Sequence, residues 1–334
     1  MGFQRGGQNA RSDFVRILTP LLPSPLPRIF SLHIILICYP IMRAFHHFIS
    51  LAAILLAGVR PSIAQVTIVD DLQRTVTLPR PAQAIVSLAP SITESLFAIG
   101  AGAQVAGVTD YCNYPPAARA VPRVGGMITP SIEAIVGLHP DLVLVSMEGN
   151  QRDVFTRLTE IGIPVAVSNP RTLEEIFRSL TVLGELTGKS DSAARLVRSL
   201  RVRAQAVLQK PRSTEVRTVL FVSLHPLIAA GARTFINELL HNAGAANLAS
   251  ETGLTYPTLS REAVIAYDPD VVLVMSDIVP TTNAVTEAYP EWSRLTAVRT
   301  GRVYRFDADI VSRPGPRAVE ALELLSTLLH RKTP

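Results

Sequence analysis

Short apolar runs alternate with longer amphipathic segments along the chain from residue 65 onward. Runs bounded by Gly, Pro or Asp predict strands, whereas apolar positions that recur every three or four residues predict helices. Strands that alternate with helices favour mainly parallel sheets covered on both faces, so the fold class is α/β. The predicted strands are 66–69, 75–78, 84–88, 142–145, 165–167, 219–222, 271–274 and 303–306, and the predicted helices are 131–138, 149–161, 172–187, 234–243, 260–266 and 316–330. One further helix is expected to begin at Ser91, whose hydroxyl can cap it together with Glu94.

An internal repeat indicates that the chain forms two similar lobes. Residues 131–145 align without gaps on residues 260–274, and each copy predicts a Ser-capped helix, a Pro-Asp turn and a buried strand. Residues 192–209 lie between the copies, contain no Gly or Pro, and carry an apolar stripe typical of one long, half-exposed helix. Two lobes joined by a helix leave a cleft, which is a common place for a small ligand.

These features predict three parts of the chain beyond residue 64. The N-terminal lobe is expected at 65–170, a helical connector with the long helix at 171–210, and the C-terminal lobe at 211–334.

The first 64 residues have the pattern of an export signal. A basic start precedes an apolar run at 48–59 and a small-x-small triplet at 62–64. This order predicts a cleavable signal peptide at 42–64 and a periplasmic destination, with residues 1–41 an over-extended N-terminus. The alternative is a retained membrane anchor, because a second apolar run lies at 29–41.

The charge balance argues against nucleic acid as a partner. Of the 334 residues, 48% are hydrophobic and 18% charged, which excludes an intrinsically disordered chain. The net charge is +5, but residues 1–64 contain six Arg and one Asp and account for all of it. Without them the chain is neutral, and Cys112 is its one remaining cysteine, so no internal disulfide is expected.

Two glycine motifs predict helix ends instead of nucleotide sites. The segment 184–190 resembles a phosphate-binding loop, but a helix precedes it, so Gly188 is expected to be a helix cap. Gly100 and Gly102 also follow a helix, which argues against a dinucleotide-binding site. The histidines are scattered, and this spacing argues against the enzyme alternative, an exported metal-dependent hydrolase.

Glu133 and Glu262 occupy the same position in the two repeat copies. Each lies two residues after a capping serine, where a carboxylate interacts favourably with the helix dipole. The pair also places two separated negative charges on the molecule, one per lobe. Such a pair suits two arginine clusters on a partner of matching pseudosymmetry.

Several longer motifs resemble one family. Residues 85–94, 107–116, 124–127 and 149–150, together with the repeat, resemble the periplasmic cobalamin-binding proteins. These belong to the iron-siderophore, haem and cobalamin substrate-binding family of ABC importers. The resemblance implies two lobes joined by one rigid helix, as in class III substrate-binding proteins. It also implies a monomeric, non-enzymatic protein, and a permease whose arginines meet Glu133 and Glu262.

The resemblance also implies which residues contact the ligand, namely Tyr111, Met127, Tyr256, Asp309, Arg313 and Arg317. Tyr111 would lie flat on the corrin face, and Tyr256 takes the place of a tryptophan. Met127 stands where an aromatic residue is common. His225 is a separate candidate, proposed from its position after a predicted strand, because it departs from the cobalamin pattern. It is either an ordinary loop histidine or a ligand contact, whose imidazole can become an axial ligand of a metal macrocycle.

The function predicted from the sequence is therefore capture of cobalamin or a related corrinoid and its delivery to an inner-membrane ABC permease. Haem or a ferric siderophore is the alternative ligand, and a membrane-anchored sensor is the alternative if the leader is retained. No cofactor is expected apart from the ligand itself, which would be cobalamin or another metal macrocycle. No metal site is expected either, except for axial ligation by His225.

Overall fold

A computed structural model describes residues 65–147, 149–211 and 214–331. The predicted signal peptide and the segment 1–41 lie outside the described residues. An antiparallel hairpin of β1 (Val66–Val69) and β2 (Thr75–Leu78) comes first. Its turn is fixed to the first lobe, because the Asp71 carboxylate accepts hydrogen bonds from the Asn169 amide at 2.6 Å and from Arg178 at 2.9 Å.

The first sheet contains four strands, namely β3 (Ile85–Ser87), β4 (Val105–Val108), β5 (Leu142–Val145) and β6 (Val165–Val167). They are all parallel and lie in the order β4-β3-β5-β6. The helices of this part are α1 (Pro90–Ala98), α2 (Ile132–Gly137) and α3 (Arg152–Glu160), with 3₁₀ turns at Gly102–Gln104 and Pro116–Ala120. Strands β3 and β5 are the two central strands of this sheet, and all their residues are buried.

The second sheet contains five strands, namely β7 (Val216–Leu224), β8 (Leu227–Ala229), β9 (Ala245–Asn247), β10 (Val271–Met275) and β11 (Val303–Phe306). The nine-residue strand β7 pairs in parallel with β9 and β10, and β10 pairs in parallel with β11. Strand β8 pairs with β7 in the antiparallel direction. The helical elements around it are α6 (Phe235–Ala243), α7 (Arg261–Tyr267), α8 (Ala284–Ala288), α9 (Thr296–Arg299), α10 (Ala308–Val311) and α11 (Ala318–Leu329), with 3₁₀ turns at Leu248–Thr252 and Pro290–Arg294.

Two helices connect the sheets. They are α4 (Leu173–Thr187) and the 19-residue α5 (Ser190–Leu208). The buried positions of α5 follow helical spacing, namely Ala193, Leu200, Ala204 and Val207. A Cβ at Gly184 would lie 2.6 Å from the Cβ of Ala193, so glycine is needed where the two helices cross. Gly188 ends α4 in the left-handed conformation, which confirms that this glycine motif is a helix cap.

The two repeat copies fold alike. Ser131 accepts a hydrogen bond from the third residue of its helix, and Ser260 does the same in the other lobe, both at 3.0 Å. The Asp of each Pro-Asp turn then accepts main-chain hydrogen bonds at the start of the neighbouring strand. Asp141 accepts from the amides of Gln83 and Ala84, whereas Asp270 accepts from Arg217. The repeat therefore encodes a helix–turn–strand unit whose turn is hydrogen-bonded, through its Asp side chain, to the main chain at the start of the neighbouring strand.

The prediction of two α/β lobes with mainly parallel sheets is confirmed. The first sheet lies within 65–170 and the second within 211–334, while the lobe boundaries at 170 and 210 remain predictions.

The predicted capping role of Ser91 is wrong. Helix α1 has Ala89 as its N-cap residue, no side-chain cap, and Pro90 at its first position. Proline already has the backbone φ that the first helical turn needs, and the N–H group that it lacks would have no partner within the helix at that position. The side chain of Glu94 is therefore available for contacts outside its own helix.

Candidate functional site

Three of the predicted ligand residues lie just beyond the carboxyl ends of parallel strands. In the first lobe, Tyr111 follows β4. In the second lobe, His225 directly follows β7, and Asp309 lies in α10 just after β11. In open α/β sheets, ligands bind outside the carboxyl ends of the strands. These three residues, which come from both lobes, therefore occupy the edges at which this fold class binds its ligands.

Hydrogen bonds join these two edges directly. Asn113 donates to Asp309 at 2.9 Å. Arg313 donates to the side-chain oxygen of Asn113 at 2.8 Å and to the carbonyl oxygen of Tyr111 at 3.4 Å. The loop that carries Tyr111 is thus fixed by groups from the second lobe.

The same loop is also fixed from within the first lobe. Arg123 donates to the carbonyl oxygens of Thr109 at 2.7 Å and Cys112 at 3.0 Å, and Arg119 donates to that of Asn113 at 3.1 Å. Cys112 is fully buried. The loop therefore has a defined main-chain path on which the tyrosine is presented.

A buried ion-pair network lies beside these contacts. Glu94 accepts hydrogen bonds from Arg313 at 2.9 Å and from Arg317 through two donors, both at 2.7 Å. The Glu94 side chain is 2% exposed, and those of Arg313 and Arg317 are 11% and 15% exposed. Arg313 also pairs with Asp309. Glu94 belongs to the first lobe and both arginines to the second, so the network joins the lobes.

The electrostatic environment of Arg317 keeps it charged. Burial disfavours its charged form, but the hydrogen bonds and charge of Glu94 outweigh that effect, and the pKa of Arg317 lies above its usual value. Its guanidinium also lies 4.2 Å from the ring centroid of Tyr114, within cation–π range. Both contacts stabilise the charged form of Arg317 and hold its guanidinium in place.

Met127 packs against the loop that follows β5. A Cβ at Gly149 would lie 2.1 Å from the terminal carbon of Met127, so glycine provides the space for this side chain. Asn150 donates to the carbonyl oxygens of Met127 at 2.8 Å and Leu88 at 3.1 Å. One asparagine thus connects the segments that follow β3, β4 and β5.

His225 is exposed beside a buried tyrosine. The rings of His225 and Tyr289 are 5.7 Å apart, and the Tyr289 hydroxyl donates to the carbonyl oxygen of Leu224. Burial raises the pKa of Tyr289, which keeps its hydroxyl a donor. Axial ligation by His225 remains a prediction.

Three exposed tyrosines provide aromatic surface. Tyr111, Tyr114 and Tyr256 are 60%, 44% and 51% exposed. Gly231 allows the segment of Tyr256 to approach closely, since a Cβ there would lie 2.3 Å from the carbonyl oxygen of Leu254. Exposed rings of this kind suit a flat apolar ligand.

Glu133 and Glu262 are equivalent in the structure as well as in the sequence. Each lies in the first turn of a Ser-capped helix, and both are exposed. Hydrogen bonding to the backbone N–H and to the capping serine lowers the pKa of each carboxyl group. Both therefore carry a full negative charge near neutral pH.

The sequence reasoning missed Glu94, Asn113, Tyr114 and Asn150 as parts of this site. Asn113 and Tyr114 lie in the quoted motif 107–116, and their proximity to Tyr111 was an available signal. Glu94 gave a misleading signal, because its spacing from Ser91 matches a capping box.

The described residues contain neither a cluster of metal ligands nor a membrane-spanning helix. Across 65–147, 149–211 and 214–331, no three His, Cys, Asp or Glu side chains form a group that could hold a metal ion. In the same ranges, no helix combines the length and apolar character that a membrane crossing requires.

Comparisons with known proteins agree on one family. The sequence profile described as "Periplasmic binding protein" matches residues 85–310. The ABC transporter substrate-binding lipoprotein YvrC of Bacillus subtilis is 32% identical over 305 residues, 85% of this chain and 95% of that protein.

Solved structures with the same fold bind two kinds of macrocycle. The vitamin B12-binding protein BtuF of Vibrio cholerae is 28% identical with a TM-score of 0.68, over 75% of this chain and 97% of that chain. The periplasmic heme-binding protein RhuT of Roseiflexus is 26% identical with a TM-score of 0.68, over 75% of this chain and 98% of that chain. The fold is thus shared by proteins for both ligands.

Proposed function

This chain belongs to the periplasmic binding protein family, and on that basis we propose that it captures cobalamin or a related corrinoid between its lobes for an ABC importer. One observation carries the proposal. The carboxyl edges of the two sheets are joined by the contacts of Asn113 and Arg313, and exposed tyrosines lie beside them. The vitamin B12-binding relative shares this fold over most of its length.

The chemistry of these residues suits a corrinoid. Burying exposed rings such as Tyr111 and Tyr256 against a flat macrocycle removes apolar surface from water. Asp309 offers a partly exposed carboxylate, 41% accessible, that can accept hydrogen bonds from side-chain amides. Aromatic area would provide most of the affinity, and the polar groups would fix the orientation of the ligand.

The proposed partner is an inner-membrane permease. Glu133 and Glu262 would each meet an arginine cluster, one per lobe, and a charge-assisted pair of this kind fixes the register of docking. The relatives are substrate-binding proteins, which are not enzymes, and we extend this to the chain. Periplasmic location and a monomeric state are parts of the same proposal.

Haem is the second candidate ligand. The exposed imidazole of His225 at the end of β7 favours it, because histidine is a common axial ligand of haem iron. The heme-binding relative supports the same alternative.

Calorimetric titration of the protein with cyanocobalamin, haemin and a ferric siderophore tests the proposed function. We expect binding of cyanocobalamin with one-to-one stoichiometry, because one pair of sheet edges forms one site. Heat released with haemin alone would transfer the assignment to haem, and heat with the siderophore alone would assign that ligand instead.

A further inference from the structure

The two arginines that the sequence assigns to the ligand are already engaged by carboxylates. Arg313 contacts Glu94 and Asp309, and Arg317 contacts Glu94 through two hydrogen bonds. Their side chains are only 11% and 15% exposed. Neither guanidinium is presented to the cleft as an unpaired positive charge.

We propose that Glu94 is a specificity-determining residue that selects macrocycles with neutral amide edges over macrocycles with carboxylate edges. This inference rests on the proposed function and names the class of ligand for the same site. Glu94 would act through the arginines and without touching the ligand.

The charge balance of the cluster supports this role. Two arginines and the two carboxylates of Glu94 and Asp309 sum to zero charge, so the cluster attracts a ligand carboxylate weakly. A carboxylate ligand would have to take Arg313 or Arg317 away from Glu94. That exchange would leave the 2% exposed Glu94 without a full set of partners, which is strongly unfavourable for a buried charge.

The exposed member of the cluster is an acceptor. The Asp309 side chain is 41% exposed, and it accepts hydrogen bonds from Asn113 and Arg313. A carboxylate has about four acceptor positions, so it can also accept from an amide N–H of a ligand. The same group repels a ligand carboxylate. Shielded cations and an exposed acceptor together favour amide-bearing ligands.

The variant Glu94→Gln tests this inference. Glutamine keeps the shape and one acceptor oxygen but removes the negative charge, so the arginines become able to pair with a carboxylate. The probes are haemin, which carries two propionates, and haemin dimethyl ester, in which both are neutral. We expect the affinity for haemin, relative to the ester, to rise about tenfold in the variant. Titration with each probe, followed by absorbance, measures this ratio.

Two further variants make the test specific. The double variant Glu94→Gln with Arg317→Gln also removes one of the two arginines that Glu94 normally pairs with. We expect it to lose most of the rise in haemin affinity, relative to the ester, that Glu94→Gln alone produces. The matched control is Glu174→Gln, which removes the charge from an exposed ion pair with Arg201 and should leave the haemin-to-ester ratio unchanged.

Titration of the unmodified protein with both probes gives a test that does not depend on the folding of a variant. We expect it to bind the ester at least as tightly as haemin. Tighter binding of haemin by the unmodified protein, or an unchanged ratio in Glu94→Gln, would overturn the role of Glu94 while cyanocobalamin binding keeps the proposed function intact. Failure to bind cyanocobalamin would overturn the proposed function, and this inference with it.

Discussion

Replacing Glu94 with alanine is expected to lower the free energy of unfolding by about 3–5 kcal/mol, the cost of removing one partner from a buried ion pair. The substitution leaves Arg313 and Arg317, which are 11% and 15% exposed, without their shared carboxylate. It also breaks hydrogen bonds between the two lobes, since Glu94 and Arg313 are 219 residues apart in the sequence. Urea denaturation followed by circular dichroism measures the loss.

The matched control for this stability change is Glu174→Ala. Glu174 pairs with Arg201 at 2.6 Å, but its side chain is 69% exposed, and surface pairs contribute only about 0–1 kcal/mol. Equal losses for Glu94→Ala and Glu174→Ala would show that the Glu94 network does not stabilise the association of the lobes.

Replacing both Glu133 and Glu262 with alanine is expected to reduce transport by about tenfold or more, while the affinity for cyanocobalamin stays unchanged. Both carboxylates are exposed and ionised, and neither belongs to the sheet edges where the ligand is proposed to bind. Uptake into vesicles that contain the cognate permease measures transport, and titration of the free protein measures affinity.

Single variants and one distant variant control this experiment. Each single substitution is expected to have a smaller effect than the pair, because the other lobe still docks. Glu185→Ala removes an exposed carboxylate from α4 and should leave transport unchanged. Normal transport by the double variant would contradict the docking role of the two glutamates.

The parts of the fold that local sequence determines were predictable. Runs such as Leu142–Val145 and Val165–Val167 were placed with their observed bounds, because four or three consecutive buried positions leave little choice of structure. Strands β4, β8 and β9 were missed. They are short, and Ala245–Asn247 contains two alanines and an asparagine, so sheet pairing determines its conformation more than its own propensity does.

The sequence nominates residues for the site but does not show how they are connected. Tyr111, Asp309 and Arg313 lie close together in the structure, while their contact with a ligand stays a prediction. The pairing of Glu94 with residues more than 200 positions away has no local signature, and its spacing from Ser91 indicated a different role. Tertiary contacts of a charged residue depend on which lobe surfaces meet, and this information is distributed over the whole chain.

The proposed function places one flat corrinoid between the carboxyl edges of the two sheets. A crystal structure of the protein grown with cyanocobalamin would locate the ligand. We expect the corrin ring between the lobes, with the Tyr111 ring on one face and Asp309 within hydrogen-bonding distance of a side-chain amide. A corrin bound away from these two edges would overturn the proposed binding mode.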